Sequence, residues 1–213
     1  ENGFEKADGV LLDIGFSSYH IETSGRGFSF LKDEQLDMRY DRTAGIDTAE
    51  KIVNTWNAAD LERMFREYGE ERFARRIAHA IIYERAKKRI ATTGHLVEVV
   101  RRAIPHAARS RIHPATRTFQ ALRIQVNNEL KNLSDGLKSA FNALGPNGKL
   151  AVISFHSLED RIIKNFFREQ AKKGIARIIT QKPICASKNE IKNNSRARSA
   201  KMRAAQKISQ NDT

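Results

Sequence analysis

Two polar clusters in this chain follow short apolar runs, and both carry residue types able to do chemistry. Val10-Leu11-Leu12 leads into Asp13-Ile14-Gly15-Phe16-Ser17-Ser18, and Leu150-Ala151-Val152-Ile153 leads into Ser154-Phe155-His156-Ser157-Leu158-Glu159-Asp160. A carboxylate, a hydroxyl and an imidazole can accept hydrogen bonds from a ligand or move a proton, so Asp13, Ser154 and His156 are the candidate catalytic residues. A Ser/His/acid nucleophile is disfavoured: there is no G-x-S-x-G elbow, and triad members are not normally packed into one turn. A metal site built from His156, Glu159 and Asp160 is disfavoured as well, because no second histidine stands at ligand spacing on the same face. The competing structural reading makes Ser157 a helix cap, His156 a solvated turn residue, and Glu159 and Asp160 complements to a helix dipole.

Positioning these residues requires strands that end at a common rim. Leu150 to Ile153 is aliphatic and partly β-branched, follows the turn signal Gly145-Pro146-Asn147-Gly148 and predicts a strand buried on both faces. From Ser157 the period changes to that of an amphipathic helix carrying Ile162, Ile163, Phe166 and Phe167. Strand, polar turn and helix is how open α/β sheets place ligands, just outside the carboxyl ends of their strands. Ala7 to Gly15 predicts a second buried strand, parallel to the first, with Asp13 on the same rim as Ser154.

The long Gly/Ser loop from Phe16 to Phe30 holds Gly25-Arg26-Gly27, which follows no strand directly and opens no helix, so it is not a phosphate-binding fingerprint. From Asp47 the pattern is helical for some seventy residues, with caps at Asp47 or Thr48 and at Asn57 and stripes of Ile52, Val53, Trp56 and of Leu61, Met64, Phe65, Tyr68. A third helix runs through Phe73, Ile77 and Ile81 to Glu84, and a short fourth over residues 94 to 104. The outward face of this region is basic, with Arg72, Arg75, Arg76, Arg85, Lys87, Lys88 and Arg89. A second helical run starts near Ala115 and reaches Phe141, its later part forming the crossover into the 150–153 strand.

Composition bounds the class. The chain has 213 residues, 40% of them hydrophobic, which suffices for one sizeable domain or one domain with an appendage. No apolar run approaches the roughly 18 residues of a membrane helix, nothing at the start has the form of a signal peptide, and the single Cys185 makes no internal disulfide, so the cytoplasm is the default compartment. The net charge of +13 is unevenly placed: residues 164–207 hold 13 Lys/Arg against Glu169 and Glu190, whereas residues 1–163 are near balance. Such a segment is either a solvated tail or a polyanion-binding surface.

His113-Pro114-Ala115-Thr116-Arg117-Thr118-Phe119-Gln120-Ala121-Leu122-Arg123-Ile124 joins Leu11-Leu12-Asp13-Ile14-Gly15-Phe16-Ser17-Ser18, Arg26-Gly27-Phe28-Ser29-Phe30, Leu36-Asp37-Met38-Arg39, Tyr68-Gly69-Glu70-Glu71-Arg72-Phe73-Ala74, Ser154 to Arg161, and Ser195-Arg196-Ala197-Arg198-Ser199. These seven blocks, in this order, resemble the bacterial small-subunit (16S) rRNA cytidine-N4 methyltransferase family (RsmH/MraW). The resemblance spans essentially all 213 residues and the later two thirds of the family pattern.

That resemblance implies a class I, Rossmann-like α/β methyltransferase that uses S-adenosyl-L-methionine, interrupted by an all-helical substrate-recognition insertion. Residues 1–44 and 113–213 would be the two parts of the methyltransferase domain and 45–112 the insertion. It implies that Asp13 binds the cofactor, and that His20 stands where the family has a second cofactor contact, a glutamine. The family's glycine-rich Gly-Gly-His turn and the acid after its second strand would precede residue 1, so the sheet is expected to lack its N-terminal part and the chain to bind cofactor weakly by itself. The implied partner is small-subunit ribosomal RNA or the assembled small subunit, with Arg117, Arg123, Arg196, Arg198, Lys201 and Arg203 as candidate RNA contacts, no membrane and no metal. Phe16, Phe28 or Phe155 would stack the target base, and the Asp13 side chain or the carbonyls near Phe16 and Ser154 would accept from its amine. A catalytically inert RNA-binding or ribosome-assembly protein is the alternative.

Overall fold

A computed structural model describes residues 6–15, 17, 19–20, 23–105 and 112–208. Contacts divide the chain into two units, one formed by Glu1–Gly15 with Leu130–Thr213 and the other by Phe16–Glu129. The second unit is wider at both ends than the 45–112 insertion expected from sequence.

The first unit is an α/β sheet. Strand β1 (Ala7–Asp13) runs parallel to β2 (Leu144–Ser154), with Asp13 opposite Ile153, and β2 pairs antiparallel with β5 (Lys201–Lys207). Strands β3 (Ala176–Ile178) and β4 (Ile184–Cys185) both pair antiparallel with β5. Helices α6 (Glu129–Ala143) and α7 (Ser157–Lys172) lay Leu133, Leu137, Phe141, Ile163 and Phe167 against Leu144, Leu150, Val152 and Ala205.

Three expectations shift here. The Gly145–Gly148 segment is not a turn before the strand but a bulge within it, because the register jumps from Ala7↔Leu144 to Gly9↔Lys149. Asn147 takes φ 61°, and a Cβ on Gly148 would lie 3.0 Å from the carbonyl oxygens of Ala7 and Gly145. Strand β1 is not buried: among the described residues it pairs on one side only, and Leu11 is 64% exposed. The basic last quarter is not a tail, since it forms three strands, helix α8 (Lys188–Asn193) and a 3-10 turn (Ser195–Ser199).

The second unit is helical: α1 (Ala49–Thr55), α2 (Ala58–Gly69), α3 (Ala74–Arg85), α4 (Thr93–Ala103) and α5 (Thr116–Asn127). Side chains of Thr48, Asn57 and Thr92 accept from the N–H groups of Lys51, Asp60 and His95, closing three N-termini. The single helical run expected from Ala115 to Phe141 is two helices, α5 and α6, because Asn128 adopts the left-handed conformation (φ 50°) that ends a helix. The core joins Ile52, Leu61, Phe65, Ile77, Ile81, Leu96, Val100 and Leu122 to the loop residues Leu36 and Met38. Met38 holds φ 62° while fully buried, pinned by its N–H to the Arg26 carbonyl and its carbonyl to Asn127. No helix among the described residues is long and apolar enough to cross a membrane.

Candidate functional site

The carboxyl ends of β1 and β2 lie side by side, as the two apolar runs implied, and the ladder continues one step beyond Asp13 through a 3.2 Å bond from the Ile14 N–H to the Ile153 carbonyl. Asp13 is exposed, and its Oδ1 accepts the Gly15 N–H at 2.8 Å. This Asx-type turn orients the carboxylate. The glycine is required by packing, since a Cβ at position 15 would meet Asp13 Oδ1 at 2.7 Å and the Phe155 ring at 3.0 Å. Asp13, Gly15 and Phe155 therefore form one contact set at the rim.

The rest of the β2 end is a hydrogen-bonded support centred on Glu159, which is 7% exposed. Its Oε2 accepts the N–H groups of Phe155 (2.8 Å) and His156 (3.2 Å), and its Oε1 lies 3.0 Å from His156 Nε2. Burial pushes this carboxyl up, but the hydrogen bond and charge of His156 with the two backbone N–H groups outweigh it and hold Glu159 below the ordinary glutamate range. His156 Nδ1 accepts the Glu159 N–H at 3.4 Å, so His156 and Glu159 close a reciprocal capping box at the start of α7.

Several sequence-based assignments change as a result. The N-cap is His156, one residue before the expected Ser157. His156 Nδ1 accepts the Glu159 N–H and its Nε2 lies 3.0 Å from Glu159 Oε1, so its ring is held against Glu159 at the start of α7. Ser154 is fully buried, and its Oγ donates to the Lys201 carbonyl at 3.3 Å, tying β2 to β5. Sequence reading missed the depth of Glu159, although the His-x-x-Glu spacing before an apolar helix carried the signal.

The candidate RNA contacts divide similarly. Arg203 is 8% exposed and donates to both oxygens of Asp160 at 2.6 and 3.1 Å; it is an internal counter-ion, and the hydrogen bond and charge it supplies lower the Asp160 carboxyl despite burial. Arg123 forms a two-pronged pair with Glu129 at 2.9 and 3.1 Å and is likewise committed internally. Arg117 is exposed on α5 and donates to the Glu70 carbonyl just past the end of α2. Arg196 and Arg198 are exposed on the 3-10 turn, and Lys201 is half-buried at the start of β5.

In the helical unit, His20 packs against Phe28 and Tyr40, with ring centroids 5.2 and 5.1 Å away, and Phe28 stacks on Tyr40. Burial, and secondarily the charge of Arg26, lower its pKa, so it presents a neutral imidazole. Phe28 is 8% exposed and belongs to the core, and Phe16 lies outside the described residues.

Residues 1–208 match the model of the MraW methylase family. A curated protein of Heliobacterium mobile named "Ribosomal RNA small subunit methyltransferase H" is 49% identical over 219 residues, covering 95% of this chain and 70% of the relative. Proteins of the same name from Syntrophotalea carbinolica and Persephonella marina are each 50% identical, over 218 and 201 residues, each with 94% of this chain covered and 69% and 68% of the relative.

Proposed function

This chain belongs to the MraW methylase family, and we propose that it transfers a methyl group from S-adenosyl-L-methionine to the exocyclic N4 amine of a cytidine in small-subunit ribosomal RNA. The names of its relatives support the RNA substrate. The observation that carries the chemistry is the Asp13 carboxylate at the carboxyl end of β1, with Oδ1 fixed by the Gly15 N–H and the Phe155 ring packed beside it.

The donor set suits the group. A carboxylate complements a cationic sulfonium and accepts from amines, and a ring at the rim complements a flat heterocycle. When bound, S-adenosyl-L-methionine supplies an electrophilic methyl group. The chain's task is then to place the nucleophile. The N4 lone pair of cytosine is delocalised into its ring, so the amine is weak, and most of the rate must come from holding it in line. Asp13 Oδ2 would accept an N4–H, align the lone pair, and take up the proton that leaves as the N–CH3 bond forms and the S–CH3 bond breaks, its electron pair returning to sulfur so that a neutral thioether departs. Phe155 supplies a face for the splayed-out base. Glu159 and His156 hold the Phe155 backbone in place from behind. Arg117, Arg196, Arg198 and Lys201 contact phosphates, which positions the RNA without reading its sequence.

The test is Asp13→Asn, which keeps the shape and the Oδ1 acceptor and removes the charge. Transfer of labelled methyl to small subunits and to naked rRNA should fall about 10- to 1000-fold in single turnover while thermal unfolding is unchanged. Full activity would remove Asp13 from the site, and a loss that only tracks a fall in melting temperature would make it structural. Nucleoside mass spectrometry of the product should show N4-methylcytidine; methyl on carbon 5 or on the ribose would overturn the assignment.

A further inference from the structure

Helix α3 buries Ala74, Ile77, Ala78 and Ile81 and turns a different chemistry outward. Within α3, Arg76, His79 and Tyr83 recur at i+3 and i+4 steps, about one helical turn, ~5.4 Å, apart, with Arg75 alongside, while Arg72 lies in the turn before the helix and Lys87 in the turn after it. All six are exposed. Two other bases of this segment are committed elsewhere: Arg85 donates to the carbonyls of Val53 and Trp56, and Arg89 pairs with Glu50. Arg75 and Arg76 are in none of the ion pairs found among the described residues, while Glu71 is buried with the Phe73 N–H and Glu84 is paired with His95.

Tyr83 is the informative member. It is 67% exposed, with the Lys87 Nζ 3.8 Å from its ring centroid. An exposed aromatic ring interleaved with exposed guanidinium groups is the composition of a single-strand platform, in which cations track the phosphates and a ring takes an unstacked base. A membrane surface would instead call for several apolar side chains on the same face, and an acidic protein groove gives the ring no role.

We propose that this face of α3 is a docking surface for single-stranded RNA, with Arg75, Arg76 and Lys87 against consecutive phosphates and Tyr83 beneath a base. It takes from the function proposed above only that the substrate is RNA. The whole chain is titrated into a fluorescein-labelled single-stranded RNA 12-mer and followed by anisotropy across a KCl series. R75Q/R76Q should flatten the log Kd against log salt slope by about 1.4, at ~0.7 per contact. Y83A should weaken binding by about 5- to 150-fold and Y83F should bind as the parent does, all three variants melting like the parent. Unchanged affinity and slope in R75Q/R76Q and Y83A would overturn the proposal, as would binding to phosphatidylglycerol vesicles lost in these variants while RNA binding is kept. Failure here and failure of the enzymatic reading separate cleanly. Methyl transfer by a parent chain whose RNA binding ignores Tyr83 refutes only the platform, whereas Tyr83-dependent binding by a parent chain that transfers no methyl supports the platform and refutes only the reaction.

Discussion

Replacing Glu159 tests whether the rim is held from behind by one buried carboxylate. Glu159→Ala strands the N–H groups of Phe155 and His156 and the ring of His156, all within 3.2 Å of the lost oxygens. Loss of a helix-cap interaction costs ~0.5–2 kcal/mol, and hydrogen bonds to a charged group ~1.5–3 kcal/mol each. Water reaching the vacated space returns part of this, so a net destabilisation of about 3 kcal/mol is expected. For a chain of 213 residues that is a fall in melting temperature of about 6–12 °C. Glu159→Gln keeps length and one acceptor and should fall about half as far. The pH dependence has a definite sign: a carboxyl held below its ordinary range adds stability that is fully present above that range and is lost as pH falls through the depressed value. The gap between parent and Glu159→Gln should therefore close in acid. Melting curves from neutral pH downward, with methyl transfer measured alongside, provide the assay. A fall under about 2 °C for Glu159→Ala would refute the support role, and lost methyl transfer with unchanged melting would give Glu159 a direct part in the chemistry.

Gly15→Ala should displace Asp13 or Phe155, because its Cβ would meet their atoms at 2.7 and 3.0 Å; methyl transfer should drop at least 10-fold, and parent-like kinetics would show that the rim tolerates the shift. Arg203→Met should destabilise by about 3–5 kcal/mol through the uncompensated Asp160 and leave the salt dependence of RNA binding intact. A flatter slope without destabilisation would restore Arg203 as a phosphate contact.

The site was legible where local pattern and tertiary role agree. Leu150–Ile153 and Val10–Leu12 are apolar because they lie in a sheet, so their polar successors had to stand at strand ends, and Asp13 does lie next to the end of β2. The helical caps at Thr48 and Asn57 were readable because capping is a local interaction. What was not readable depends on partners distant in sequence. Lys201 to Lys207 has the composition of a solvated tail, yet β5 lies between β2 and β3, with small Ala205 facing the core and the charge of Arg203 cancelled by Asp160, 43 positions away. The break at Asn128 was hidden because apolar spacing continues across it and only the backbone conformation changes.

The sheet unit is discontinuous, and this sets an order of assembly. Ala7 cannot pair with Leu144 until β2 is made, and β2 cannot pair with β5 until Lys201–Lys207 is made. The helical residues between them carry their own core, rich in contacts made by neighbouring helices. On a ribosome that half can condense first, while the β1–β2 pair cannot form until more than a hundred further residues have been added. Closing a loop of that length as flexible chain would cost on the order of 4 kcal/mol in entropy, and pairing between distant segments is the slow step of folding. Because β5 is made after β2 and Asp160, a nascent chain halted before Met202 would leave Asp160 without its counter-ion and β2 without its β5 neighbour. Completion of the sheet thus reports completion of synthesis through β5, and an interrupted product would present unpaired strand edges of the kind that invite aggregation and proteolysis.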